Sequence, residues 1–211
     1  MADLSKLYEV ILNGDGKNAI AITQKAIEEG ADPLVIVNEH MIPAMDEAGR
    51  RFECEEYFVP ELLLAARAMK GALALIRPLL AAQGSEPIGR VIIGTVKGDL
   101  HDIGKNLIAS MLEGGGFEVI DLGTDVSPEK FVQAVQDRNP NLVCLSALLT
   151  VTMPSMKTTI DALKSAGVRD KVRVVVGGAP VTEQWAKEIG ADAYGANAAV
   201  AVPLARKLVG K

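Results

Sequence analysis

The chain has 211 residues, with 27 Asp plus Glu against 22 Lys plus Arg and a net charge of -5. That length suits one large or two small domains, and a mildly acidic balance without a basic cluster leaves no electrostatic footprint for DNA or RNA. Cys54 and Cys144 are too far apart in sequence to suggest a disulfide framework. The opening Ala2-Asp3-Leu4-Ser5-Lys6 lacks an apolar signal core, and no apolar run approaches the ~18 residues of a membrane span. A cytoplasmic protein with no membrane or nucleic-acid partner is expected.

From Leu4 to about Leu80 apolar residues recur only at helical spacing, as in Leu4, Leu7, Tyr8, Ile11 and then Ile20, Ala21, Gln24, Ile27. Asn13-Gly14-Asp15-Gly16 breaks the first pair of helices and Glu29-Gly30-Ala31-Asp32-Pro33 the second, with Asp32 as N-cap and Pro33 at the first helical position. A third helix runs through Val37 and Met45 to about Gly49, and a fourth opens near Pro60 and carries Leu62, Leu63, Ala66, Met69, Leu73 and Ile76. These stripes predict a four-helix bundle. The connector between the last two helices sets Phe52, Tyr57 and Phe58 beside acidic residues. Aromatics at a helix mouth serve a core more often than a ligand. Periodicity is lost over Ala81 to Pro87, which predicts domains at 1–86 and 87–211.

After Pro87 short β-branched runs alternate with helical segments. Strands are expected at Val91 to Val96, Phe117 to Leu122, Leu142 to Ala147, Val172 to Val176 and Ala191 to Gly195. Helices are expected at Ile103 to Glu113, Pro128 to Arg138, Pro154 to Ala166, Glu183 to Ile189 and Ala198 to Leu208. Strands this apolar are covered on both faces, so the pattern predicts an α/β, flavodoxin-like (Rossmann-like) doubly wound parallel sheet of five strands in the order 2-1-3-4-5.

In that topology the ligand crevice is lined by the loops after strands one, three and four. They hold Asp99-Leu100-His101-Asp102-Ile103-Gly104, Ser146-Ala147-Leu148-Leu149-Thr150-Val151-Thr152 and Gly177-Gly178-Ala179-Pro180. A carboxylate two residues before His101 can hold one ring nitrogen while the other binds a metal. A phosphate loop is the rival reading of Gly104-Lys105. It fails, because five residues separate Gly98 from Gly104 where that loop has four, and Asn106 stands where Ser or Thr would hold magnesium. The only other histidine is His40, so no protein-only metal site is in view. A metal would arrive already chelated by a macrocycle that leaves an axial position to be filled. Ser146 and Thr150 fit either ordinary strand-end hydroxyls or partners for a buried heterocycle, and the paired glycines fit either a tight turn or the close passage of a long ligand tail.

Asp99-Leu100-His101-Asp102-Ile103-Gly104, 41 further residues, Ser146-Ala147-Leu148, 28 further residues and Gly177-Gly178 together resemble the DxHxxG…SxL…GG signature of base-off, His-on cobalamin-binding domains. The helical half, with Tyr57-Phe58-Val59-Pro60-Glu61-Leu62, resembles the cap of cobalamin-dependent methionine synthase. The homocysteine, folate and reactivation domains of that enzyme have no counterpart here, so the chain is more similar to the free-standing corrinoid proteins of methyltransferase systems.

The resemblance implies a methyl carrier of one-carbon metabolism, not catalytic alone, whose bound cobalamin or related corrinoid cycles between Co(I) and methyl-Co(III), the methylcobalamin form. It implies His101 as the lower axial cobalt ligand, Asp99 as its partner, and Thr152 where methionine synthase extends the relay with Ser. Asp102, Ile103 and Gly104 complete the first motif. Ser146, Leu148 and Thr150 would line the nucleotide-tail pocket, Gly177, Gly178 and Ala179 would follow the tail, and Asn197 and Ala198 would be the last contact. Phe58 and Leu62 would cover the upper corrin face, with the domains parting at Gln83 to Pro87 during turnover. The implied partners are a substrate:corrinoid methyltransferase for methanol, a methylamine, betaine or a methoxyarene, a methylcorrinoid:acceptor methyltransferase using tetrahydrofolate or a thiol, and a reductive activase.

A cobalamin-binding sensory or regulatory module is the alternative. It would need a DNA-binding segment and usually a Trp over the corrin, whereas the only Trp is Trp185 in the second domain. A mutase subunit would lack the helical cap.

Overall fold

A computed structural model describes residues 3–84 and 86–210. Ala2 of the chain start, Ser85 of the expected boundary and Lys211 lie outside the described residues. The chain divides into two compact units: one runs through Pro87 and includes Ser110–Gly116, and the other comprises Ile88–Ala109 and the chain from Phe117 onward.

The first unit carries α1 (Leu4–Leu12), α2 (Gly16–Glu28), α3 (Pro33–Val35), a π-helical turn (Ile36–Met41), α4 (Ile42–Glu53) and α5 (Val59–Ala82). Asp15 caps α2 by accepting the Asn18 N–H at 3.1 Å, and Asp32 caps α3 by accepting the Leu34 N–H at 3.0 Å, with Pro33 at the position where its missing N–H costs nothing. The third expected helix is therefore one helical run with a widened turn. Its cause is Pro43, which has no N–H to donate and whose ring would strike the Glu39 carbonyl in a regular α-helix. The chain instead opens by one residue, and the Ile42 N–H reaches back to the Val37 carbonyl.

That run ends at Glu53 rather than near Gly49, because Glu47 holds two cations of the last turns, with Arg50 Nε at 2.7 Å and Arg51 Nε at 2.8 Å. The Arg50 hydrogen bond, then that of Arg51, pulls the Glu47 carboxyl down to about 2. The expected stripes are buried on α1 and α5, where Leu7, Ile11, Leu62 and Ile76 are all at 0% exposure, but not on α2. There Ile20 is 42% exposed, Ala21 and Gln24 are exposed too, and the face turned inward is the smaller one of Ala19, Thr23 and Ala26, because the close approach of a neighbouring helix selects small side chains. No helix among the described residues is long and apolar enough to cross a membrane.

The second unit is a five-stranded sheet of β1 (Arg90–Thr95), β2 (Glu118–Asp121), β3 (Leu142–Ser146), β4 (Arg173–Gly177) and β5 (Ala193–Gly195), in the order β2-β1-β3-β4-β5. Every pairing is parallel. The connecting helices are α6 (Ile103–Gly114), α7 (Pro128–Arg138), α8 (Pro154–Ser165), α9 (Glu183–Ile189) and α10 (Ala198–Leu208). The predicted strand order and element sequence are thus those observed. Ile92, Val143, Val174 and Val176 are fully buried with Phe131 and Ile160. Gly94 makes room for the α7 aromatic, since a Cβ there would lie 2.8 Å from the Phe131 ring.

The register brings Thr95, Ser146, Gly177 and Gly195 side by side across four strands at the carboxyl edge. Only hydroxyls and glycines stand in that row, which leaves the end of the sheet open to a ligand.

Candidate functional site

The loop from Gly98 to Asp102 follows β1 and is held at several backbone groups. Gly98 takes φ +86, a left-handed conformation that favours glycine. The Asp99 N–H donates to the Val96 carbonyl at 3.1 Å, and the Thr95 hydroxyl donates to the His101 carbonyl at 2.8 Å. The Asp102 carbonyl then accepts the Asn106 N–H at 2.7 Å, and its carboxylate accepts Asn106 Nδ2 at 3.1 Å as α6 begins. The geometry is set by a strand end, a turn and a helix start.

Asp99 is fully buried and its two oxygens face different loops. Oδ1 accepts the His101 backbone N–H at 3.1 Å and lies 2.8 Å from His101 Nδ1. Oδ2 accepts the Leu148 N–H at 2.7 Å and the Thr152 hydroxyl at 2.7 Å, with the Leu149 N–H farther off at 3.4 Å. The Thr152 hydroxyl also lies 2.8 Å from the Leu149 carbonyl, but that carbonyl already accepts the Thr152 and Met153 N–H groups, so the single hydroxyl proton goes to the carboxylate. Burial is the largest influence on Asp99 and disfavours its charge. The Leu148 N–H, the Thr152 hydroxyl, the His101 N–H and the imidazole together outweigh it and hold the carboxyl well below the usual carboxylate range.

An ionised Asp99 against Nδ1 places the ring proton there and leaves Nε2 with its lone pair outward. No described residue bonds Nε2, and the imidazole is 51% exposed. The segments after β1 and β3 expose apolar side chains that water would not select: Leu100 at 74%, Ile103 at 76% and Val151 at 80% exposure, with Leu148 and Leu149 also exposed. Gly104 has no positive φ, and nothing lies within 4 Å of where its Cβ would be. No packing among the described residues requires a glycine there, as the close approach of a ligand would. No group of three or more His, Cys, Asp or Glu able to hold a metal ion occurs among the described residues. A single outward imidazole in an apolar setting therefore fits a metal already chelated by a large, flat macrocycle, and these residues fit a corrinoid.

The other expected residues fall into three groups. Ser146, Leu148, Thr150, Gly177, Gly178 and Ala179 stand at the carboxyl ends of β3 and β4. Gly178, at φ +131, passes so close to the neighbouring loop that a Cβ would lie 1.8 Å from the Ala147 carbonyl oxygen, so the strand edge itself demands this glycine. Asn197 spends its side-chain oxygen on the Val200 N–H at 3.0 Å as the cap of α10, and Ala198 is buried.

Phe58 and Leu62 belong to the helical unit. Phe58 is 65% exposed whereas Leu62 is fully buried. The expected aromatic cluster is divided in its work: the Tyr57 hydroxyl donates to the Leu12 carbonyl at 3.2 Å and its ring lies under Arg51, 5.2 Å from the guanidinium carbon. Phe58 opens α5, its N–H bonded to the Glu61 carboxylate at 3.0 Å.

Sequence reasoning overlooked the loop after β2. Thr95 exchanges backbone hydrogen bonds with Gly123 and Val126, both at 3.0 Å, and the buried Lys105 pairs with Asp121 while reaching Asn106 Oδ1 at 2.6 Å. Reading the crevice from the switch point alone directs attention to the loops of β1 and β3. The one available signal was Gly123-Thr124-Asp125 immediately after a strand.

Two models described as B12 binding domain match, one over residues 89–202 and the other over residues 4–77. The trimethylamine corrinoid protein 2 of Methanosarcina mazei is 42% identical over 98% of this chain and 97% of its own. A cobalamin-binding protein from Desulfitobacterium hafniense has the same architecture, with a TM-score of 0.79 at 33% identity over 99% of both chains. The methanol:cobalamin methyltransferase complex MtaBC of Methanosarcina barkeri contains a chain that matches with a TM-score of 0.86 at 29% identity, over 97% of this chain and 78% of that one. With its signature residues gathered at one sheet edge and both halves matched, this chain belongs to the B12-binding corrinoid protein family.

Proposed function

We propose that the chain is a methyl carrier that holds a corrinoid at the carboxyl edge of its sheet, with His101 Nε2 as the lower axial ligand, and exchanges the methyl group with two methyltransferase partners. The observation that carries this reading is the buried Asp99 carboxylate 2.8 Å from His101 Nδ1, which leaves Nε2 as the only unengaged ring nitrogen. When bound, the corrinoid supplies a cobalt centre that takes a methyl group from one partner and yields it to the next.

The remaining work belongs to the chain. Asp99 holds the proton on Nδ1 and so leaves the Nε2 lone pair available to a metal, and Thr152 with the Leu148 N–H keeps Asp99 charged. Asp102, Ile103 and Gly104 give the macrocycle a flat approach. Ser146 and Thr150 would offer hydroxyls and Leu148 an apolar wall to the nucleotide tail, and Gly177, Gly178, Ala179, Asn197 and Ala198 would hold the rest of it. Phe58 shields the upper face, and the buried Leu62 fixes the helical turn that carries it.

Relatives named for trimethylamine support a methylamine as donor more closely than the methanol system does, by 42% against 29% identity. The acceptor methyltransferase serves a thiol or tetrahydrofolate, and a reductive activase restores the carrier in the cytoplasm. The same relatives favour methyl transfer over a sensory role.

The test is to load the full chain with cobalamin, reduce it, and follow absorbance on adding a trimethylamine-specific methyltransferase with its substrate. Stoichiometric methyl uptake is expected. A chain that binds cobalamin yet accepts no methyl group from any of the methylamine, methanol, betaine or methoxyarene partners contradicts the carrier reading.

A further inference from the structure

In the loop between β2 and α7, Asp125 bonds the His101 loop directly. Asp125 Oδ1 accepts the Gly98 N–H at 2.8 Å, while the Asp125 N–H donates to the Asp99 carbonyl at 2.9 Å. One residue thus grips two successive residues of the His101 loop, one with its side chain and one with its backbone. To do so it adopts φ +51, a left-handed conformation that costs most L-residues about 1–2 kcal/mol and that Asp tolerates better than most. The strain is held by the bonds on either side, since Thr95 accepts the Val126 N–H and donates its own N–H to Gly123. Lys97 Nζ lies 3.2 Å from the same carboxylate, on the solvent side.

We infer that Asp125 is a positioning residue for the Asp99–His101 pair, acting through the Gly98–Asp99 backbone to hold the Asp99 carboxylate against Nδ1. The inference rests on the carrier reading for its purpose but not for its geometry. Asp99 receives four donors within 3.1 Å, and the two from His101 are correctly placed only if the backbone between Gly98 and His101 keeps one path. Along that path the Asp99 N–H is held by Val96, the residue after β1, and the His101 carbonyl by Thr95, the last residue of β1. The Gly98 N–H and the Asp99 carbonyl have Asp125 as their partner. Without its carboxylate, Gly98, the residue with the widest conformational freedom in the loop, is released at the point where the chain turns toward Asp99.

The experiment uses the full chain without added corrinoid, read by the long-range 15N–1H spectrum of the His101 ring and the solvent exchange of its Nδ1–H. Asp125→Gly removes the carboxylate while keeping the left-handed backbone and the bond to the Asp99 carbonyl. Its expected effect is Nδ1–H exchange faster by about tenfold, or a mixed tautomer in place of one, the size expected for losing a hydrogen bond to a charged acceptor. Asp125→Asn, which keeps an acceptor for Gly98 and tolerates the same φ, is expected to return exchange to within about threefold of wild type. Lys97→Met, which removes only the exposed ion pair, is expected to change little. Asp125→Ala is the second variant should the glycine form fail to fold.

A folded Asp125→Gly or Asp125→Ala chain whose ring spectrum and exchange match wild type overturns the inference. So does a wild-type ring with its proton on Nε2. Because no corrinoid is present, neither result is confused with failure of the carrier reading, which would appear as an absent protein ligand in the loaded wild type.

Discussion

Asp99 Oδ1 lies 2.8 Å from His101 Nδ1, and the same carboxylate reaches across to Leu148 and Thr152 on the loop after β3. The pair that would serve the metal is therefore also the knot that ties two loops of the sheet edge. Substitution at the knot should register in stability before any cofactor is added. Thr152→Val removes the hydroxyl donor and leaves the rest of the shape, so it should cost about 1–2 kcal/mol in urea unfolding at pH 7, with Thr152→Ser recovering most of it. Asp99→Asn should cost about 1–3 kcal/mol, because one amide oxygen cannot serve both loops and its NH2 group must then face donors.

Two glycines of the signature have opposite reasons to be glycine. Gly178 sits at φ +131 with a neighbouring carbonyl oxygen 1.8 Å from its missing Cβ, whereas nothing lies within 4 Å of the Cβ position at Gly104. Gly178→Ala should lower stability by about 2 kcal/mol or more, measured by chemical denaturation. Gly104→Ala, in the first turn of α6, should leave the corrinoid-free chain as stable or more stable by up to about 1 kcal/mol. Its loss should appear in cobalamin affinity, by about tenfold or more in a fluorescence or absorbance titration, as expected when a methyl group blocks close approach. Unchanged affinity would remove Gly104 from the binding surface.

The aromatics before α5 should separate cleanly. Tyr57→Phe loses the bond to the Leu12 carbonyl and should cost about 0.5–1.5 kcal/mol. Phe58→Ala, at a side chain 65% exposed, should shift stability by less than about 0.5 kcal/mol while altering the light sensitivity of the methylated, loaded protein. A thermal melt checks the first statement and timed photolysis the second.

Cys144, on β3, has its thiol pushed up to about 12 by burial, from an ordinary value of 9.0. Fewer than about one in a thousand of these thiols is ionised at pH 8.5, so iodoacetamide should label the exposed Cys54 alone until the chain is unfolded. The raised value also fixes a sign. The contribution of the neutral thiol to stability is complete below the unfolded value and is lost as pH climbs from about 9 toward about 12. Cys144→Ala should therefore flatten the alkaline limb of a stability-against-pH curve.

Much of this arrangement was legible in the chain because it follows from local chemistry. The short β-branched runs of β1, β3 and β4, alternating with helical segments, read as strands covered on both faces, and the order β2-β1-β3-β4-β5 is the default of a flavodoxin-like fold of this size. Asp99 and His101 share one turn, so their pairing needs no tertiary information. Asp125 was invisible because its partners, Gly98 and Asp99, lie 27 and 26 residues away in sequence and neither carries a periodic signal. The π turn at Ile36–Met41 was hidden because the apolar periodicity runs through Pro43 without a break, and periodicity does not tell a widened turn from a regular one. Helical periodicity alone could not separate Leu62, fully buried, from its neighbour Leu63, 37% exposed, since that depends on how the helices rotate against one another.

The central claim is that His101 Nε2 binds cobalt with Asp99 behind it. The most direct measurement is the electron paramagnetic resonance spectrum of the Co(II) form of the cobalamin-loaded chain, wild type beside His101→Ala, with the protein grown on 15N-histidine in a parallel sample. The account predicts nitrogen splitting from one axial ligand, changed in multiplicity by the 15N label and absent from the variant. Bound cobalamin whose splitting is indifferent to both the label and the substitution would show that the cofactor keeps its own base, and would contradict the assignment.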